Sequence, residues 1–253
     1  MKKKELMING IRISYLENLE NLEKPVTLFL HGWGSSKESF HLLFPYFENL
    51  IAFDFPGMGD SQEFHTSADV SDFVAVFNEF FQKTIGKRKC NILVHSFGGR
   101  VLLQWLNCNK NYRFESIVCI GVPFYRNLSA LGKIQLQLGK ILQNKIFSCI
   151  KPFITKLYGI LNPQSDYINI SDGKIKKTFQ SIVSQDISVF LPELKKQNVL
   201  FIWGENDTSA PISNMMDAKR IVTNAEIISV KNAGHFPWVD NINDFLLGLG
   251  MTK

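Results

Sequence analysis

A serine followed closely by two glycines ends an apolar run in the stretch ILVHSFGG, residues 92–99. A serine hydroxyl is a poor nucleophile until a base removes its proton, and that base must be held in one tautomer. If the run is a buried strand that turns sharply into a helix, the hydroxyl of Ser96 stands above the sheet edge, and Gly98 and Gly99 leave room for the turn. The N-terminus of that helix also favours negative charge beside the serine. The stretch therefore predicts a candidate nucleophile.

A candidate acid and a candidate base follow two later apolar runs. Asp207 comes directly after the run in FIWGENDTSAP, and His235 lies in NAGHFPW, beyond the last strand-like run. Nucleophile, acid and base in this chain order are typical of a parallel sheet with such a turn. Two alternatives stay open for the acid: Asp207 could only cap its turn, and Asp240 could take its role. The segment CIGVPFY after the preceding run carries no carboxylate, which favours Asp207.

Other polar residues near these runs are predicted to hold loops. His95 adjoins the candidate nucleophile but should point away from it, because successive strand side chains alternate. His31 is expected to order the loop HGWG through hydrogen bonds, and Asp54 and Asp60 to fix the turn DFPGMGDS. No metal cluster is predicted, since His41 and His65 are isolated in sequence; no cofactor is implied.

The elements that would position these residues follow an alternating pattern. Apolar residues recur at helical spacing in residues 37–50 and 68–85, and Asn9-Gly10 predicts a hairpin near the N-terminus. Strand-like runs alternate with these segments: VTLFLHG (26–32), IAFDFPG (51–57), NILVHSFGG (91–99), FESIVCIGV (114–122), NVLFIWGEND (198–207) and AEIISVKN (225–232). This alternation predicts an α/β fold, with a doubly wound, mostly parallel eight-stranded sheet covered by helices on both faces.

The alternation stops between residues 122 and 191, where a helical cap insertion is predicted. The sheet core would then comprise residues 1–121 and 192–253. The segment between residues 122 and 184 contains nine lysines and arginines but two aspartates. Its net charge is +7, whereas the net charge of the whole chain is +5. The apolar ladder of the insertion is expected to wall an apolar pocket together with rings, for which the candidates are Phe124, Tyr125, Phe153 and Tyr158.

The amino-acid composition is typical of a globular protein. The 253 residues are 45% hydrophobic and 20% charged, as in a globular protein with a substantial core. Polar residues interrupt the N-terminal segment before a signal sequence could form, and no run of about 18 apolar residues predicts a membrane span. The cysteines lack metal-ligand spacing and are expected to be buried free thiols, which indicates a cytoplasmic protein; they are Cys90, Cys108, Cys119 and Cys149.

Taken together, the motifs resemble those of the α/β-hydrolase superfamily over nearly the whole chain. The resemblance is carried by HGWGSS (31–36), DFPGMGDS (54–61), HSFGG (95–99), GENDTSAP (204–211) and NAGHFPW (232–238). In its loop and turn motifs the chain is similar to capped carboxylesterases, including pimeloyl-carrier-protein methyl esterases. One departure is Val94, which stands where the superfamily usually has a glycine and crowds the turn.

The resemblance implies a role for each matching residue. Ser96 would be the nucleophile, Asp207 the acid and His235 the general base. The backbone N–H groups of Trp33 and Phe97 would bind the oxyanion. The residues expected to support these loops are His31, Gly32, Gly34 and Gly98.

The function expected from these residues is cleavage of carboxylic esters, with lactones as a further substrate class. Carbon–carbon bond hydrolysis and cofactor-free perhydrolysis use the same residues and stay open, as does a non-catalytic ligand-binding or membrane-surface protein. The basic insertion is either solvated surface or a site that attracts an anionic substrate, an acidic carrier protein or an anionic membrane. Nucleic acid is not an expected partner, because no aromatic-interleaved basic motif occurs.

Overall fold

Eight strands form one sheet, in a computed structural model that describes residues 1–21, 23–125 and 173–251. The strand order is β1-β2-β4-β3-β5-β6-β7-β8, in which β2 is antiparallel to both neighbours and β3 to β8 run parallel. The predicted doubly wound, mostly parallel eight-stranded sheet is therefore confirmed. The strands are β1 (Lys2–Ile8), β2 (Ile11–Leu19), β3 (Val26–Leu30), β4 (Asn49–Phe53), β5 (Cys90–His95), β6 (Ser116–Ile120), β7 (Val199–Gly204) and β8 (Glu226–Val230).

The middle strands are apolar on both faces because both faces are covered. Every residue of β3 and of β4 is buried, which explains why these strands read as continuous apolar runs rather than as alternating ones. Because β3 to β8 are parallel, their carboxyl ends share one edge of the sheet. The loops that follow β3, β5, β7 and β8 therefore meet at that edge.

The N-terminal hairpin forms at the predicted dipeptide. Asn9 and Gly10 join β1 to β2 with φ angles of +50° and +77°. Both residues must be left-handed in the two-residue turn that matches the twist of paired strands, and asparagine and glycine adopt this conformation at least cost.

Two helices cover one face of the sheet with aromatic side chains. Helix α1 (Val70–Thr84) begins at Asp69, whose side chain accepts hydrogen bonds from the N–H groups of Ser71 and Asp72. Helix α2 (Phe97–Cys108) follows the candidate nucleophile directly. The ring of Trp105 in α2 lies 5.0 Å from that of Phe81 in α1, so rings from both helices build this part of the core.

The prediction of a helix from the helical spacing in residues 37–50 is wrong. The segment forms two short 3₁₀ helices, Lys37–Phe40 and Phe44–Tyr46, before β4 begins. Pro45 cannot donate the backbone hydrogen bond that a longer helix would need there. The apolar residues still pack inward, since Phe40 stacks on Trp238 at a centroid distance of 5.1 Å.

The chain divides into two compact units, the first formed by Met1–Tyr125 with Asp186–Lys253 and the second by Arg126–Gln185. The predicted insertion at residues 122–191 lies largely outside the described residues. Within the second unit the described residues form helix α3 (Gly173–Ser184). The first unit continues with a 3₁₀ helix (Ser188–Lys196) and helices α4 (Ser213–Ile221), α5 (Pro237–Asp240) and α6 (Ile242–Gly248).

The described cysteines are not all buried. Cys90 and Cys119 are buried free thiols, but Cys108 is exposed, so its predicted burial is wrong; Cys149 lies outside the described residues. Across residues 1–21, 23–125 and 173–251, every helix is too short or too polar to cross a membrane.

Candidate active site

Ser96 occupies a strained turn between β5 and α2. Its φ and ψ angles are +48° and −109°, a conformation that costs a non-glycine residue about 1–3 kcal/mol and is concentrated at functional sites. The backbone N–H of Ser96 donates to the carbonyl oxygen of Ile120 in β6 over 2.9 Å, which ties the turn to the neighbouring strand.

The two glycines after this turn allow α2 to approach the sheet. A Cβ atom added to Gly98 would lie 2.4 Å from the carbonyl oxygen of Leu30, and one added to Gly99 would lie 2.4 Å from the side chain of Val122. Both distances are far below contact distance, so only glycine fits. Val94 is fully buried in β5 between Leu30 and Cys119 of the adjacent strands, and its side chain is accommodated there.

Asp207 and His235 form a hydrogen-bonded pair at the same edge. The Nδ1 atom of His235 lies 2.7 Å from Oδ2 of Asp207. A carboxylate only accepts, so Nδ1 carries the proton and Nε2 presents a lone pair. The other carboxylate oxygen, Oδ1, accepts from the N–H groups of Ser209 (2.9 Å) and Ala210 (2.8 Å), which fixes the acid in one orientation.

Gly121 lies beside two of the candidate residues and directly follows the hydrogen-bond acceptor of the third. It follows Ile120, the hydrogen-bond acceptor of Ser96, and has a φ angle of +54°. A Cβ atom on Gly121 would lie 3.0 Å from Cε1 and Nδ1 of His235 and 3.2 Å from Oδ2 of Asp207. Gly121 was not among the predicted site residues, although a glycine directly after a buried strand is a usable signal.

Asp240 holds backbone in the loop that carries the candidate base. Its Oδ2 accepts from the N–H of Gly234 over 2.7 Å, while the imidazole of His235 is paired with Asp207 instead. Of the two aspartates considered for the acid, the geometry thus favours Asp207. The carbonyl oxygen of Ala233, in the same loop, accepts from the N–H of Asn206 over 2.8 Å.

His31 fixes the loop after β3 through both ring nitrogens. The N–H of Phe55 donates to Nε2 over 3.1 Å, so the proton is on Nδ1, which donates to the carbonyl oxygen of Gly32 over 2.7 Å. Burial lowers the pKa of His31 to about 4, and the ring is neutral at ordinary pH. In a planar trans peptide C=O and N–H point in opposite directions, so the N–H of Trp33 points away from the ring of His31.

Aromatic contacts join the two candidate oxyanion donors. The rings of Trp33 and Phe97 lie 5.6 Å apart in an edge-to-face arrangement. The ring of Phe97 also lies 5.0 Å from Phe55 and 5.0 Å from Phe73 of α1. Gly34, in the same loop, has a φ angle of +67°, a conformation that favours glycine.

Lys37, a buried lysine that was not among the predicted site residues, links the segment after β3 to the loop after β4. The Nζ atom of Lys37 lies 2.6 Å from Oδ2 of Asp54 and 2.7 Å from Oδ2 of Asp60. Burial opposes the charge of Lys37, but the hydrogen bonds to Asp54, Asp60 and Glu38 outweigh it and raise the pKa of the ammonium. The hydrogen bonds from Lys37 and Lys3 lower the pKa of Asp60 to about 2.

The predicted pocket residues are only partly described. Phe124 is fully buried, with its ring 5.3 Å from Phe201 and 5.9 Å from Trp203 of β7. The N–H of Tyr125 donates to Oδ1 of the buried Asn214 over 3.2 Å. Phe153 and Tyr158 lie outside the described residues.

The strand order, the strained turn at Ser96 and the helix that follows it define the fold of an α/β hydrolase. A sequence model of the alpha/beta hydrolase family matches residues 27–245. The chain belongs to the α/β hydrolase family.

Individual relatives are distant in sequence and similar in fold. The chain is 22% identical to Lipase 3 of Moraxella sp. (strain TA144) in an alignment 256 residues long, which covers 94% of this chain and 80% of the lipase. It superposes on MGS-M2, an α/β hydrolase enzyme from a Medee basin deep-sea metagenome library, with a TM-score of 0.71, 19% identity and coverage of 99% and 98% of the two chains. The esterase EaEST from Exiguobacterium antarcticum gives a TM-score of 0.72, 16% identity and coverage of 98% of each chain.

Proposed function

We propose that the protein is a serine hydrolase that cleaves carboxylic esters, with lactones as a further substrate class, through an acyl-enzyme intermediate. The observation that carries the proposal is the 2.7 Å hydrogen bond between Asp207 and His235, at the sheet edge where the strained turn exposes Ser96. Membership of the hydrolase family and similarity to a lipase and an esterase support an ester as the substrate.

In the first half of the reaction the ester is exchanged for an acyl-enzyme. Nε2 of His235 accepts the proton of Ser96 as the hydroxyl oxygen attacks the acyl carbon. Asp207 holds the imidazole by its Nδ1–H and stabilises the cation that forms. The tetrahedral intermediate then expels the alcohol, which receives the proton from Nε2. A lactone would follow the same steps, with the alcohol retained on the acyl group.

Water completes the cycle. It loses a proton to Nε2 of His235 as it attacks the acyl-enzyme, and Ser96 leaves with that proton. The carboxylic acid is released and the free hydroxyl of Ser96 is restored. Each step transfers one proton between groups of this chain and the substrate, so the mechanism requires no cofactor.

The negative oxygen of each tetrahedral intermediate would be bound by two backbone donors. These are the N–H of Trp33, oriented by the bond from His31 to the preceding carbonyl group, and the N–H of Phe97 at the first turn of α2. Losing one such donor typically slows an acyl transfer about 10²–10³-fold. Helix α2 adds a positive dipole end at the same place.

Covalent labelling tests the nucleophile. A fluorophosphonate should label the wild-type protein and abolish its ester hydrolysis, and Ser96→Ala should remove both labelling and turnover. Ser229→Ala, at an exposed serine of β8, is the matched control and should behave as the wild type does. Labelling of Ser96→Ala to the wild-type extent would assign the nucleophile to another residue.

A substrate panel tests the reaction class. It should contain p-nitrophenyl esters of graded acyl length, lactones, ring-fission diketones and an ester with hydrogen peroxide. Ester or lactone turnover that requires Ser96 supports the proposal. Exclusive turnover of diketones would make the protein a carbon–carbon hydrolase, and exclusive peracid formation would make it a perhydrolase. A wild-type protein that is neither labelled nor active, yet binds anionic liposomes, would be a membrane-surface protein.

A further inference from the structure

His95 is the last residue of β5 and stands directly before the proposed nucleophile. Its side chain is buried, and its ring packs against the loop that carries the proposed base. The ring centroid lies 4.5 Å from that of His235, 4.8 Å from that of Phe236 and 4.9 Å from that of Trp238. The imidazole therefore lies between the strand of the nucleophile and the loop of the base.

One hydrogen bond connects these two parts of the site. Nε2 of His95 lies 2.9 Å from the carbonyl oxygen of His235. A carbonyl oxygen only accepts, so Nε2 carries the proton and donates it, and Nδ1 is left as a lone pair.

The surroundings of Nδ1, the opposite ring nitrogen, indicate that position 95 requires the N–H donor at Nε2. Nδ1 of His95 is buried and has no hydrogen-bond partner among the described residues. A Cβ atom on Gly32 would lie 2.9 Å from it, so the wall on that side is tight. Burying an unpaired polar nitrogen is unfavourable, and a phenylalanine would fill the same space without that disadvantage. Packing alone therefore does not account for a histidine here.

The ring of His95 also stays uncharged next to the imidazole of His235. Burial, together with the nearby imidazole of His235, lowers the pKa of His95 well below its usual range. A neutral ring at this place does not repel the imidazolium that the proposed mechanism forms at His235.

We propose that His95 is a positioning residue for the general base. Its Nε2–H holds the backbone of His235, whose ring is hydrogen-bonded to Asp207 through Nδ1, and so sets where Nε2 of His235 stands relative to Ser96. The two preceding residues of the loop, Ala233 and Gly234, are held by Asn206 and Asp240, whereas the bond from His95 links the loop to the strand of the nucleophile. This inference rests on the proposed function of the same site.

A matched pair of substitutions separates the donor from the space it fills. Glutamine and methionine have side chains of nearly equal length, and only glutamine carries an N–H group that can reach the carbonyl oxygen of His235. The assay compares His95→Gln, His95→Met and His95→Phe with the wild type, and uses His65→Phe as a control at an exposed histidine. The measurements are kcat and KM on a p-nitrophenyl ester, the rate of fluorophosphonate labelling and the midpoint of thermal unfolding.

We expect kcat to fall in the variants that lack an N–H donor at position 95. His95→Met should lower kcat and the labelling rate at least about tenfold, because a base displaced by a fraction of an ångström transfers the proton poorly. KM should change less than about twofold, and His95→Gln should recover most of the rate. His95→Phe should resemble His95→Met in rate even if its thermal midpoint is unchanged, and His65→Phe should match the wild type.

Two results would overturn the proposal. One is equal kcat for the glutamine and methionine variants, which would mean that the side chain only fills space. The other is a wild-type rate in His95→Phe. Failure of the proposed function itself is distinguishable, because the wild-type protein would then show neither Ser96 labelling nor ester turnover. If the methionine and phenylalanine variants do not fold, a glutamine variant that folds but has lost most of its kcat also overturns the proposal.

Discussion

Asp207 is held by three hydrogen bonds that leave its carboxylate one orientation. Two backbone N–H groups bind Oδ1, and the imidazole of His235 binds Oδ2. Among the described contacts, Asp240 accepts one hydrogen bond, from the backbone N–H of Gly234. Both aspartates bind the loop that carries His235, but Asp207 binds its imidazole and Asp240 binds its backbone, and this difference can be measured.

Asp207→Asn should therefore lower kcat by about 10⁴, because an amide that donates to Nδ1 would leave the imidazole in the wrong tautomer. Asp240→Asn is the matched control and should cost far less, since it only weakens a bond to the backbone of Gly234. Steady-state kinetics on one ester decide between them. A loss of only a few-fold for Asp207→Asn, with a large loss for Asp240→Asn, would reverse the two roles.

The buried ring of His31 should make stability depend on pH. Its pKa is about 4 in the folded chain, whereas an unfolded histidine titrates near 6.5. Between these values the unfolded chain binds a proton that the folded chain does not, so acid favours unfolding. The contribution is fully present above about pH 6.5 and falls by about 3 kcal/mol as the pH drops to 4.

Urea unfolding of the wild type and of His31→Asn from pH 7 to pH 4 measures this contribution. The wild type should lose more free energy of unfolding than the variant, because asparagine does not titrate. The buried ring of His95 is common to both proteins and cancels in the comparison. Parallel curves for the two proteins would mean that His31 does not titrate as expected.

Among the elements, the ends of the parallel strands place the site. The turn after β5 exposes Ser96, the turn after β7 carries Asp207, and the loop after β8 carries His235. After β6, Gly121 has no side chain, and the imidazole of His235 closely approaches the backbone there.

Gly121→Ala should therefore impair activity beyond its effect on stability. A methyl group would press on the His235 ring, and the left-handed backbone adds about 1–2 kcal/mol of strain. Gly86→Ala is the matched control, because Gly86 has a similar φ angle of +60° at the end of α1, away from the site. Both variants should lose similar stability in urea, but only Gly121→Ala should lose at least about tenfold in kcat. Equal kcat in both would contradict the crowding seen at Gly121.

Strand positions could be predicted because the buried parallel strands are short, apolar and separated by helical patterns. Loop structure was harder to predict. Residues 37–50 have apolar residues at helical spacing, and this periodicity does not separate one long helix from two 3₁₀ turns, of which the second contains Pro45. Lysine is rarely buried, so nothing near Lys37 in sequence indicated that two carboxylates from the loop after β4 would surround it.

On the scale of the whole molecule, charge is unevenly distributed. The segment between residues 122 and 184 has a net charge of +7 in a chain of +5, so the rest is slightly acidic. We propose that the insertion at residues 122–191 is a cap whose charge attracts anionic esters. The opposing interpretation is that these lysines are solvated surface without influence on the substrate.

A salt titration separates the two interpretations. If the charge selects substrates, kcat/KM for an ester with a carboxylate in its acyl chain should fall several-fold as ionic strength rises from about 0.01 M to 0.5 M, because screening shortens the reach of the field. A neutral ester of equal length is the control and should change little. Equal responses of the two esters would leave the basic segment without a part in selection.

The ammonium of Lys37, enclosed by Asp54 and Asp60, has a consequence for engineering. It joins the segment after β3 to the segment after β4. A chimaera that exchanged only the first segment for that of a relative without such a lysine would leave the buried carboxylate of Asp54 without its ammonium partner. Removing one partner of a buried ion pair typically costs about 3–5 kcal/mol. The segments after β3 and after β4 should therefore be exchanged together when the protein is recombined with a relative.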